Sequence, residues 1–149
     1  MSERLSHVDE EGRVQMVDVG DKPFSRRRAT ATATVRMAAE TARRLHDLPK
    51  GDALAAARLA GIMAAKRTSE LIPLCHPLPL SHVDLSVEVR EGAVDVVAAV
   101  ETVAQTGVEM EALVGASVAA LTVYDMAKGI DQGMVVEEVR LLEKVKRPA

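Results

Sequence analysis

An α+β domain is the fold class this sequence predicts, with helices packed on one face of an antiparallel sheet. Three observations predict it. Segments near residues 29–37, 82–89 and 134–145 alternate polar and apolar residues, the period-two signature of half-buried strands. Alanine-rich segments of helical length lie between them, two after the first strand and one before the last. The turn signal "EGA" at 91–93 folds the second strand back onto a third. The order strand, helix, helix, strand, strand, helix, strand is a ferredoxin-like split β-α-β plan.

Each element has a local reason. Residues 1–28 are polar and charged and read as an N-terminal arm carrying the cluster Arg26, Arg27, Arg28, ahead of a single domain over 29–149. "ATATATVRM" alternates Thr30, Thr32 and Thr34 with Ala31, Ala33 and Val35, a strand with one buried face. "AETARRLHDL" is a short helix stopped near Pro49 and Gly51. Asp52 is placed to cap a second helix, "ALAAARLAGIMAAKR", in which Gly61 marks a close contact. Pro73 and Pro77 end helical structure. From His82, Val83, Leu85, Val87 and Val89 share one strand face, and "VDVVAAVETV" returns beside it. A long helix runs from about Thr106 to Lys128 with Gly129 as its stop, and "MVVEEVRLLEKV" makes the last strand.

Composition narrows the function classes. A chain of 149 residues makes one domain with one core, and with aromatics at 1% that core must be built from Ala, Val, Leu and Met. A net charge of -3 argues against a generic nucleic-acid binder, and RNA readout across the sheet would want more aromatics than Phe24 and Tyr124. One cysteine excludes an intrachain disulfide and suggests a reducing, cytoplasmic compartment. The start lacks the apolar run of a signal peptide, and no uninterrupted apolar run reaches membrane-spanning length. Ala112 to Val123 carries no charge on any side, which a small domain cannot cover alone. A homo-oligomer with sites shared between chains is therefore expected.

Three stretches carry candidate chemistry. Thr106 and Glu109 have capping-box spacing, a structural duty, whereas Glu111 in the same first turn has none and is open to function. In "YDMAKG", Asp125 and Lys128 share a helix face, either as a surface pair or as an acid/base couple. A lysine acts as a base only when burial or nearby cations lower its pKa. In "KRTSELIPLCHPLPL", Cys75 and His76 are adjacent, a poor arrangement for a thiol and its base, and the scattered histidines lack zinc spacing. Prolines at 73, 77 and 79 instead stiffen a loop that can hold His76 ready for a ligand or simply bond it to backbone. These residues point to an anion-binding acid/base site without metal, cofactor or thiol chemistry.

"KRTSELIPLCHPLPLSHV", "TGVEMEALVGASVAALTVYDMAKGID" and "MVDVGDK" resemble the molybdenum cofactor biosynthesis protein C family, the cyclic pyranopterin monophosphate synthases, from about His7 to Lys144. The resemblance implies a ferredoxin-like fold assembled as a hexamer, a trimer of dimers, with active sites at a subunit interface. The expected substrate is 3',8-cyclo-7,8-dihydroguanosine 5'-triphosphate, rearranged to cyclic pyranopterin monophosphate with loss of pyrophosphate. Asp125 and Lys128 match the family's catalytic pair. Leu74, Cys75, His76, Met110 and Glu111 match its substrate contacts, and Glu109, Lys50, Lys66, Lys144 and Arg27 match further functional positions. No nucleic acid, membrane or metal is expected as a partner.

Overall fold

The computed structural model describes residues 5–149, so the first four residues of the expected arm lie outside the described residues. In chain order the elements are β1 (Ser25–Arg36), α1 (Ala39–Arg43), α2 (Ala53–Lys66), α3 (Thr68–Leu71), β2 (Leu80–Arg90), β3 (Ala93–Ala104), α4 (Glu109–Ala127) and β4 (Val135–Pro148). The strands form one antiparallel sheet in the order β2-β3-β1-β4. That arrangement is ferredoxin-like, with the two halves of the chain interleaved. α4 packs on β1, β3 and β4, and α2 packs on α4 and β2, so these two helices share one face.

Small residues make this packing possible. Ala29, Ala31 and Ala33 of β1 and Ala112, Ala116, Ala119 and Ala120 of α4 are buried, letting the helix lie close to the sheet. α2 and α4 cross at glycines: a Cβ on Gly61 would stand 2.9 Å from the Gly115 carbonyl oxygen and 2.8 Å from Leu85 Cδ1. Leu45, Leu85 and valines 94, 96, 100 and 123 supply the bulk that aromatics would otherwise provide. Asp52 caps α2 as its sequence position suggests, its Oδ1 accepting from the Leu54 and Ala55 N–H groups.

Three local expectations need correction, and β4 adds a feature of its own. β1 begins at Ser25 rather than Ala29, so Arg26, Arg27 and Arg28 are strand residues with partners on both sides. The Thr106/Glu109 capping box does not form: α4 starts at Glu109 after Val108, with no side-chain cap, because the Glu109 carboxylate folds back over Gly107. α4 ends as expected, at Ala127 with Lys128 as its C-cap, but Gly129 is not in the left-handed conformation of a glycine stop. β4 carries an irregularity opposite Thr32–Thr34, with Glu138 at φ 55. Two residues there oppose one on β1, the signature of a bulge.

α4 has the length and mean hydropathy to cross a membrane. Here it is the core helix, packed against the sheet and against α2 beside it. Its charge-free middle is only partly covered. Leu121 of α4 and Leu59 and Met63 of α2 remain 56%, 60% and 43% exposed on the helical layer.

Candidate active site

The two ends of α4 carry different chemistry. At its N-terminal end a cavity of about 470 Å³ is lined by Leu74, Cys75 and His76 from the proline loop and by Glu109, Met110 and Glu111 from α4. The loop is tied down at three points. Cys75 N–H donates to the Ile72 carbonyl, Thr102 Oγ1 donates to the Pro79 carbonyl at 2.6 Å, and His76 Nε2–H donates to the Val17 carbonyl at 2.7 Å. That last bond sets the His76 tautomer, with the proton on Nε2.

Val17 belongs to the N-terminal segment, which runs across the cavity and contributes His7, Val17, Val19 and Lys22 to its wall. Gln105 Nε2 holds the same segment by donating to the Gly20 and Lys22 carbonyls, both at 3.1 Å. Sequence reasoning missed these lining residues, since their ties run through backbone carbonyls and leave no side-chain pattern. The one signal was "MVDVGDK", one of the stretches that carry the resemblance.

Glu111 is the unusual group. It is 3% exposed, one carboxyl oxygen (Oε1) has no hydrogen-bond partner, and the other (Oε2) stands 3.8 Å from Cys75 Sγ. Burial, then the neighbouring Glu109 charge, pushes its pKa up, against opposing hydrogen bonds from backbone and thiol. Burial and the Glu111 charge likewise push the Cys75 thiol up to about 11. A thiol so protonated is a donor and not a nucleophile at neutral pH.

The candidate cations sit on the elements flanking this end. Lys144 Nζ lies 3.9 Å from Glu109 Oε1. Arg27 pairs across the sheet with Thr102 and Lys146, has the same facing as Ala29, and donates to Ser25 Oγ at 2.6 Å. Lys66 is exposed at the last turn of α2, which the antiparallel α2–α4 crossing brings to the same end.

At the C-terminal end of α4, Asp125 is clamped between two ammonium groups. Lys128 Nζ is 2.8 Å from Asp125 Oδ1 and Lys50 Nζ is 3.1 Å from Oδ2, with a further bond at 3.3 Å to the Asp125 carbonyl. The Lys128 and Lys50 ammoniums hold the Asp125 carboxyl below its usual range, and Asp125 raises Lys128. The condition for Lys128 to act as a base is thus not met within one chain, where it is a paired ammonium suited to donate a proton.

The structure therefore lines one cavity with six of the candidate residues, pairs Lys144 with one of them, leaves Arg27 and Lys66 outside that lining, and places Lys50, Asp125 and Lys128 at the other end of α4. Fourteen residues separate Glu111 from Asp125 on α4, and at about 1.5 Å of rise each the two groups stand about 21 Å apart. Among the described residues, no three His, Cys, Asp or Glu side chains stand close enough to hold a metal ion.

The MoaC family model matches residues 16–146. The chain is similar to proteins named cyclic pyranopterin monophosphate synthase from several bacteria. The one from Herpetosiphon aurantiacus is 55% identical over 144 residues, covering 94% of this chain and 88% of that protein. Those from Roseiflexus and Thermoanaerobacter are 56% and 51% identical, each covering 94% of this chain and 91% of the relative.

Proposed function

The chain belongs to the MoaC family, and from that premise we propose that it is a cyclic pyranopterin monophosphate synthase acting in molybdenum cofactor biosynthesis. It takes 3',8-cyclo-7,8-dihydroguanosine 5'-triphosphate to cyclic pyranopterin monophosphate and pyrophosphate. The observation that carries the residue assignment is Asp125 held between Lys50 and Lys128. One cluster thereby offers a carboxylate, a proton donor and positive charge, which proton transfer and phosphate chemistry both need.

Closing the cyclic phosphate requires a sugar hydroxyl to attack the innermost phosphorus while the bond to the leaving pyrophosphate breaks. Little covalent help is needed; catalysis is placement and charge neutralisation. Lys50, Lys128, Lys66, Lys144 and Arg27 are the proposed cations. Leu74, His76, Met110 and Glu111 hold the guanine-like portion in the cavity, with the N–H edge directed at carboxylate.

Because about 21 Å separates the two clusters within a chain, a complete site needs a second copy, whose Asp125 end meets the cavity of the first. The exposed Leu59, Met63 and Leu121 between the two clusters support such a contact. The hexamer, built as a trimer of dimers, and a cytoplasmic location belong to the same proposal. The test is to incubate the protein with the cyclic triphosphate and follow pyrophosphate. Release coupled to formation of the cyclic phosphate is expected; a folded protein that leaves the substrate unchanged overturns the assignment.

A further inference from the structure

The proposed function gives Glu111 a contact with the ring but leaves the Cys75 thiol beside it without a role. A buried carboxyl oxygen without a partner costs free energy unless something completes it. Oε1 of Glu111 is such an atom, in a residue that lines the cavity. Oε2 is occupied by the Cys75 thiol. The thiol donates to the ionised carboxylate there, which leaves Oε1 as the open position of the pair.

Resting on the reading above, we infer that Cys75 is a positioning residue acting through Glu111: it pins Oε2, presents Oε1 to the N–H edge of a guanine-type ring, and thereby ties substrate binding to the ionised form of Glu111.

The coupling has a definite sign. Burial favours the neutral acid in the free protein, whereas an N–H edge binds the carboxylate. As pH falls through the raised Glu111 pKa, the ligand must expel a proton and affinity falls. The groups facing Glu111 fit this direction. Glu109 on α4 opposes its ionisation and is itself only loosely matched by Lys144 of β4, while Cys75 of the loop favours ionisation through its hydrogen bond. His76 of the loop and His7 and Lys22 of the N-terminal segment line the same cavity.

Two measurements test this. The first needs no substrate: the Glu111 carboxyl is titrated by carbon NMR in the wild type, Cys75→Ala and Cys75→Ser, with Glu111→Gln assigning the signal. Removing the thiol is expected to raise the midpoint, and serine, which restores a donor, is expected to bring it back. Equal midpoints in all three overturn the inference even if turnover is normal. The second follows KM and kcat against pH with the cyclic triphosphate. Cys75→Ala is expected to raise KM by about tenfold on the acid side with kcat within about twofold, and Cys75→Ser to recover it. Loss of kcat without displacement of the KM profile would mean a different role for Cys75. If no variant, wild type included, turns over the substrate, the assigned activity fails and the titration alone judges the pair.

Discussion

Replacing Lys128 by alanine lowers kcat by about a thousandfold, the middle of the range for losing a positioned proton donor. The protein stays folded, because Lys128 lies at the end of α4 with its side chain about half exposed and ion-paired to Asp125. Asp125 keeps Lys50 as a partner, so no buried charge is orphaned. Lys128→Arg separates charge from proton donation: a guanidinium neutralises phosphate but does not give up its proton. It is expected to recover KM and not kcat. Pyrophosphate release under saturating substrate, with circular dichroism as the folding control, checks both. Turnover of Lys128→Ala within tenfold of wild type contradicts the role.

The second large effect is on stability. Gly61→Ala puts a methyl carbon 2.9 Å from the Gly115 carbonyl oxygen and 2.8 Å from Leu85 Cδ1. Leu85 is fully buried and cannot swing away, and the carbonyl is backbone. Overpacking of this kind costs about 3 kcal/mol, and alanine's better helix propensity returns about 1 kcal/mol. The net loss of about 2 kcal/mol lowers Tm by about 6 °C for a domain of this size. Gly115→Ala is milder, since its methyl would meet the Gly61 carbonyl oxygen at 3.2 Å. Thermal unfolding of the two variants side by side should rank Gly61→Ala clearly lower. A rise in Tm for Gly61→Ala would show that the helices are not in contact there. The crossing also places Lys50 at one end of α4 and Lys66 at the other, so a displaced α2 disturbs both clusters.

Strand periodicity, the Gly92 turn and the Asp52 cap were legible because each is a local matter: alternation, a backbone at φ 74, a side chain within reach of two N–H groups. The start of β1 was not. Three consecutive arginines read as a solvated arm, and only pairing with Thr102 and Glu101 on one side and Lys146 and Val145 on the other makes them strand. The Thr106/Glu109 spacing has the right form for a cap, yet Glu109 turns toward Gly107 and Lys144, partners 2 and 35 residues away. The same limit applies to the candidate site. Spacing along α4 shows that Glu111 and Asp125 cannot meet within one chain, and the uncharged stretch between them signals a covered surface. Which groups would complete the site from a second copy, as proposed, follows from neither stretch alone.

Subunit complementation tests the shared site most directly. Chains carrying Lys128→Ala and chains carrying Lys66→Ala are each inactive, are mixed in equal amounts, and are allowed to exchange, with mixed oligomers verified by native mass spectrometry. If each site joins the Lys66 end of one copy to the Lys128 end of another, about a quarter of the sites in the mixture are intact and that fraction of wild-type turnover returns. Mixed oligomers that stay inactive would place both clusters' work within a single chain and contradict the account.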